Sequence, residues 1–233
     1  MTHIYAIILA GGSGSRMKQN TPKQYLELNN KTILQHTLET FNSHKEIDRI
    51  IITCSPEYYN FVTDISNSIE NNKLYKIATA GKTRQLSSFN ALTCTSFNTL
   101  DVILFHDAAR PFVSHEIITN TINAVKRYGS ASVYVPAVDT ITIVEDNMVK
   151  DIPNRESLYN TQTPQGFTFE TIYEAHLLAK KNNFETASDD VSLVIKNNKN
   201  VYAVLGEYIN IKITNPSDLI IAEKILLEKN KDK

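Results

Sequence analysis

A chain of 233 residues, 42% hydrophobic and 21% charged, carries apolar material for one sizeable core, so a single globular unit spanning 1–233 is expected. Its formal net charge of -1 offers no basic field for nucleic acid and no polybasic run for a membrane surface, and both are set aside as partners. The two cysteines, Cys54 and Cys94, have neither disulfide nor metal-ligand spacing and are expected to be reduced packing residues.

The N-terminal stretch MTHIYAIILAGG lacks a basic leader, and its apolar part is too short for a signal peptide or a membrane span. The expected compartment is therefore cytoplasmic. In chain order, apolar runs at Ile4–Leu9, Arg49–Cys54, Leu74–Ala78, Val102–Phe105 and Ser132–Val135 predict buried parallel strands. Between them, Ile33–Phe41, Pro56–Ile69, Thr83–Ser96 and His115–Tyr128 place apolar residues three and four apart, as helices covering a sheet do. This alternation predicts a doubly wound, mostly parallel, Rossmann-like α/β sheet with right-handed crossovers. Ligands in such sheets bind beyond the carboxyl ends of the strands.

The alternation lapses over residues 139–160, where β-type residues flank a polar turn at Glu145–Asn147. That pattern predicts a protruding β-hairpin arm. A helix over Phe169–Lys180, strands at Val201–Leu205 and Ile209–Ile213, and a last amphipathic helix opened by Pro216 follow. The lysine-rich end, EKNKDK, is expected to be a frayed tail.

Chemistry gathers first in the loop Ala10-Gly11-Gly12-Ser13-Gly14-Ser15-Arg16-Met17, directly after the first strand. Its glycines let the backbone approach a polyanion and aim consecutive N–H groups at it. It is neither a Walker loop nor a dinucleotide fingerprint, because the following Lys-Ser/Thr and a glycine at Met17 are both missing. Arg16 in the loop and Lys23 in Pro22-Lys23-Gln24-Tyr25 add two cations, a combination that suits a triphosphate. Asp107 ends a predicted strand in the ligand crevice and is a candidate to hold a hydrated magnesium ion on phosphates. Its alternative role is a helix N-cap. Arg110 offers a planar fork for phosphate oxygens or, alternatively, a structural ion pair. Lys212 alternates with Ile211 and Ile213 in a predicted strand, either facing the site or solvated at an edge. The six histidines show no metal-ligand spacing, and His106 is expected to be a packed residue and not a base.

These segments resemble the IspD/TarI group of CTP-dependent polyol-phosphate cytidylyltransferases. The likeness runs through AGGSGSRM with PKQY, Gly81-Lys82-Thr83-Arg84-Gln85-Leu86-Ser87-Ser88, His106-Asp107-Ala108-Ala109-Arg110-Pro111, Arg155, Thr161-Gln162-Thr163-Pro164-Gln165, Ser188-Asp189-Asp190 and Asn210-Ile211-Lys212-Ile213-Thr214. It implies a nucleotide site built from Ala10, Gly11, Gly12, Gly14, Gly81, Lys82, Arg84, Ser87 and Ala108. It further implies that Arg16 and Lys23 hold the triphosphate, that Lys212 holds the α-phosphate, and that Asp107 positions phosphate and Mg2+. In such families the arm crosses to a partner subunit in a homodimer, and Thr140, Arg155, Thr163 and Ser188 line the acceptor pocket with Asp107 and Arg110. The resemblance leaves two acceptors. Ala109, the TRQ segment and SDDVSL resemble enzymes for 2-C-methyl-D-erythritol 4-phosphate, while the second glycine of AGG, the GSRM ending and AVDT resemble those for D-ribitol 5-phosphate. The reading favours methylerythritol phosphate. A transferase for another base and a non-catalytic nucleotide-binding module are the alternatives in other classes.

Overall fold

The computed structural model describes residues 2–12 and 21–231, with the side chains of 230 and 231 left aside. In chain order the strands are β1 (Ile4–Leu9), β2 (Glu27–Leu28), β3 (Lys31–Thr32), β4 (Arg49–Cys54), β5 (Leu74–Thr79), β6 (Val102–Asp107), β7 (Ser130–Pro136), β8 (Ile143–Glu145), β9 (Met148–Asp151), β10 (Tyr159–Thr168) and β11 (Tyr202–Leu205). The helices are α1 (Ile33–Ser43), α2 (Tyr59–Asn67), α3 (Arg84–Thr93), α4 (His115–Tyr128), α5 (Phe169–Lys181), α6 (Asp190–Lys196) and α7 (Pro216–Lys231).

Seven strands form one sheet in the order β11-β7-β10-β6-β1-β4-β5. All neighbours are parallel except β10, which runs antiparallel to both β6 and β7. The two-residue period of β1 explains the layering: Ile4, Ala6 and Ile8 face a core with α1, α2 and α4, while Tyr5 and Ile7 face a second core with α3, α5 and α6. A third cluster seats α7 through Ala222 against Leu28, Ile33, Phe112 and Ile213. Helix α4 matches its expected bounds because both ends carry stop signals: Ser114 Oγ accepts from Ile117 N, and Gly129 takes the left-handed C-cap at φ 81°.

The expected turn in the arm is also present. Asp146 and Asn147 take positive φ between β8 and β9, as a two-residue hairpin turn requires. Four expectations need correction. Residues 159–160 belong not to the arm but to β10, a central strand whose polar sequence YNTQTPQGFT hides it from hydropathy. Its ladder shifts register between Thr161 and Gln165, where Pro164 has no N–H to give. The segment Ile209–Ile213 is irregular and not a strand, because Asn210 N and Ile211 N donate locally to Glu207 O and Ile209 O, Asn210 O accepts from the Arg110 side chain, and Ile213 N alone reaches a distant carbonyl, that of Ala109. The helix expected over Pro56–Ile69 opens instead as a 3-10 turn at Pro56–Tyr58 and becomes α2 only from Tyr59. The C-terminal segment does not fray at Glu228, since α7 continues to Lys231.

Candidate active site

The site lies at the carboxyl ends of β1, β5 and β6, where three loops converge on a cleft of about 410 Å³. The first loop is held by its neighbours. Ala10 N donates to Thr53 O, while the buried Gln24 amide donates to the carbonyls of Ala10 at 2.6 Å and Gly12 at 2.9 Å. Tyr25, stacked on Tyr58, adds a second donor to Ala10 O. With these carbonyls engaged from behind, Gly11 and Gly12 line the cleft.

Glycine is required at Gly11 because a Cβ there would come 2.2 Å from the Cβ of Ala80, so the β1 and β5 loops pack backbone against side chain. A Cβ at Gly81 would likewise meet that of Leu86 at 2.4 Å. Gly81 N donates to Ser87 Oγ, whose hydroxyl in turn donates to Thr83 O. Thr83 also caps α3 by accepting from Leu86 N, so the positive end of that helix dipole opens beside the cleft.

Asp107, the last residue of β6, is nearly buried and surrounded by cations. Lys212 Nζ is 2.8 Å from Oδ2, and the Nε atoms of Arg84 and Arg110 are each 3.6 Å from one of its oxygens. Burial works to raise its pKa, but Lys212, Arg84 and Arg110 together outweigh it and hold the carboxyl well below the usual carboxylate range. Behind it runs a polar chain with one consistent set of donors. Asp107 N donates to Thr163 Oγ1, the Thr163 hydroxyl donates to His106 Nδ1, and His106 Nε2 donates to Arg110 O. With Nδ1 accepting and Nε2 donating, the imidazole in this chain is neutral. Complete burial pushes His106 down to about 4, in the same direction. His106 is thus a packed strand residue, as expected.

Lys23, Gly11, Gly12, Gly81, Lys82, Arg84, Ser87, Asp107, Ala108 and Lys212 line one cleft, which brings together most of the residues picked from sequence. Ala10 is buried beneath them. Gly14 and Arg16 lie outside the described residues. Arg110 points into the protein, donating to Asn210 O at 2.8 Å and Thr161 O at 3.1 Å. Thr163 is buried against Asp107, whereas Ser188, Thr140 and Arg155 are exposed and are not among the residues lining the cleft. Arg155 donates to Val138 O within the arm. Lys212 occupies the irregular segment and still faces the site, since Ile213 beside it is buried and donates its N–H to Ala109 O. Asp107 is not a helix N-cap, a role that Ser114 fills for α4.

Sequence reasoning missed the buried partner of Arg84. Asp190 was visible only as part of an acidic pair after Ser188, with nothing in the local pattern linking it to α3. In the fold its Oδ2 accepts from Arg84 Nη1 at 2.5 Å and from Ser88 Oγ at 3.1 Å, and its Oδ1 accepts from His176 Nε2.

Comparison with known proteins agrees with this geometry. Residues 4–228 match the family model described as IspD: 2-C-methyl-D-erythritol 4-phosphate cytidylyltransferase. Proteins of that name from Clostridium botulinum (strain 657 / Type Ba4) and Clostridioides difficile (strain 630) are each 42% identical to it. The first match covers 94% of this chain and 96% of the relative, the second 97% and 94%. The crystal structure of 4-diphosphocytidyl-2C-methyl-D-erythritol synthase from Anaerococcus prevotii DSM 20548 superposes with a TM-score of 0.85 at 34% identity, over 97% of this chain and 96% of that one. With a family model spanning nearly its whole length and relatives matched end to end, the chain belongs to the 2-C-methyl-D-erythritol 4-phosphate cytidylyltransferase (IspD) family.

Proposed function

We infer that the protein transfers the CMP unit of CTP to 2-C-methyl-D-erythritol 4-phosphate, giving 4-diphosphocytidyl-2-C-methyl-D-erythritol and pyrophosphate. The observation that carries this reading is the charge of the cleft in a chain of this family. Lys23, Lys82, Arg84 and Lys212 line it with a single carboxylate, Asp107, among the described residues. Such a site suits a triphosphate and a second phosphate together.

The chemistry needs no side-chain base. A phosphate monoester with a second pKa of about 6 is largely dianionic at neutral pH, so one of its oxygens can attack the α-phosphorus of CTP directly. The new P–O bond forms as the bond to the β-phosphate oxygen breaks and pyrophosphate leaves. Catalysis then consists of alignment and of neutralising charge on the phosphate oxygens. In this reading Arg16 and Lys23 hold the triphosphate and Lys212 the α-phosphate. Gly11, Gly12 and Gly14 supply backbone N–H groups above the buried Ala10, and Gly81, Lys82, Arg84, Ser87 and Ala108 seat the nucleoside. Asp107, braced by Arg110 and Thr163, sets the place of the acceptor phosphate.

Magnesium fits the site as a passenger of the triphosphate. Among the described residues no group of three or more His, Cys, Asp or Glu could form a closed metal site, and Asp107 is the one acidic side chain at hand. Magnesium commonly binds through one or two carboxylates, retained waters and substrate phosphates, and when bound it would neutralise phosphate charge.

The reading extends to a homodimer. Val138, Val144, Met148, Val149 and Ile152 are all more than half exposed on or beside the arm, an apolar surface that a second copy would cover. Thr140, Arg155 and Ser188 would then complete the acceptor pocket, the first two by reaching the partner's cleft. The enzyme is placed in the cytosol with its nucleotide substrate.

Pyrophosphate release from CTP and magnesium, followed in parallel with methylerythritol phosphate, ribitol phosphate and no acceptor, tests the assignment. Release with methylerythritol phosphate alone is expected. Release with ribitol phosphate alone, or with no acceptor at all, overturns it.

A further inference from the structure

Asp190 is the first residue of α6 and is fully buried at the meeting point of α3, α5 and α6. Both of its oxygens are occupied, one by His176 of α5 and the other by Ser88 and Arg84 of α3. The peptide N–H of Asp190 donates to Gln165 Oε1, and the Gln165 amide donates to Asp189 Oδ2, so the backbone that carries the carboxylate is fixed to β10 as well. Of the side chains bonded to the Asp190 carboxylate, Arg84 alone lines the cleft.

A buried ion pair is a poor way to stabilise such a joint, since an apolar replacement of the same shape is often neutral or better. What it does supply is direction. Arg84 lies between two carboxylates with unequal holds, Nη1 at 2.5 Å from Asp190 and Nε at 3.6 Å from Asp107. The closer contact is on the side away from the substrates. An arginine loses rotamer entropy when ordered, and a cation ordered beforehand makes no such demand during the reaction.

Resting on the reaction inferred above, we propose that Asp190, oriented by His176 and Ser88, is a positioning residue that tethers Arg84 from behind. The tether keeps the guanidinium from collapsing onto Asp107, leaves that carboxylate to Lys212 and holds the Arg84 charge at the cleft wall for the incoming substrates. Asp190 touches no substrate and acts only through Arg84.

The test uses Asp190→Asn, Arg84→Ala and the double variant in the full-length protein, with kcat/KM for CTP read by pyrophosphate release. Alongside, 15N relaxation of the Arg84 side-chain Nε–H is recorded, its signal assigned by its absence from the Arg84→Ala spectrum. Asp190→Asn should lower kcat/KM about 10-fold or more, a size in keeping with small misplacements in active sites. The double variant should fall within about two-fold of Arg84→Ala, since a residue acting only through Arg84 has nothing left to act on. The Arg84 guanidinium should turn rigid in the wild type and mobile in Asp190→Asn. Losses that multiply, an Arg84 as rigid in the variant as in the wild type, or a loosened Arg84 with unchanged kcat/KM would each overturn the proposal. If the wild type released no pyrophosphate, the inferred reaction would fail, and Arg84 relaxation would by itself decide the tether. Should Asp190→Asn not fold, Ser88→Ala and His176→Asn each remove one bond to the carboxylate and take the same measurements.

Discussion

Lys212 Nζ lies 2.8 Å from Asp107 Oδ2, although one residue ends a central strand and the other sits in an irregular segment just before the last helix. The Lys212 side chain is about a third exposed and that of Asp107 much less so, which leaves Lys212 partly open to the cleft while Asp107 anchors it. An incoming phosphate oxygen can therefore share a cation that is already in place.

Lys212→Ala should lower kcat about 100-fold, the scale of losing one preorganised donor to a developing oxyanion. The KM for CTP should change much less if Lys212 acts at the α-phosphorus in the transition state. Steady-state kinetics with saturating acceptor checks both, and an equal rise in KM with kcat unchanged would count against that role.

His106 predicts an acid limb in stability. An unfolded histidine titrates near 6.5 and the buried one is pushed down to about 4, so the unfolded chain binds the extra proton first as pH falls. The contribution is fully present above about 6.5, is lost between about 6.5 and 4, and amounts to roughly 3 kcal/mol. Asp107, held below the usual carboxylate range, keeps its stabilising charge through this window and loses it only at lower pH. Buried His44 shifts in the same direction as His106, also through burial. A His106→Gln variant separates the two: its melting temperature should fall less than that of the wild type between pH 7 and 4.5.

Two neighbouring glycines should respond differently. A methyl group at Gly11 runs into Ala80, whereas one at Gly12 meets nothing within 4 Å. Gly11→Ala should lower the melting temperature and weaken CTP binding together. Gly12→Ala should leave the stability within about 0.5 kcal/mol of wild type, as uncrowded surface substitutions do. Any loss of CTP affinity in Gly12→Ala, measured by calorimetry, then reports close approach of the nucleotide to that backbone.

The arm should report on assembly. Val149 is 63% exposed on β9 of a two-stranded ribbon, which alone is at best marginally stable in water. Val149→Asp should convert a sedimenting dimer to monomer in analytical ultracentrifugation and lower activity with it. A dimer unaffected by that charge would place the interface elsewhere.

Much of this protein was legible in the order of its residues. The apolar runs of β1, β4 and β6, the capped helix α4 and the turn at Asp146 and Asn147 follow from periodicity and turn chemistry, which depend on near neighbours in the chain. The glycine loops and most of the cleft-lining cations were legible for the same reason, because backbone approach and charge are local properties. Tertiary structure alone decided the rest. Strand β10 is polar and broken by Pro164, and becomes central only because β6 and β7 offer it ladders on both sides. Lys212 faces Asp107 without belonging to a strand, since burial of Ile213 aims it there. The choice of Asp190 as the counterion of Arg84 left no trace in sequence, because charged groups pair by distance and dielectric surroundings, and those exist only once α3, α5 and α6 have packed.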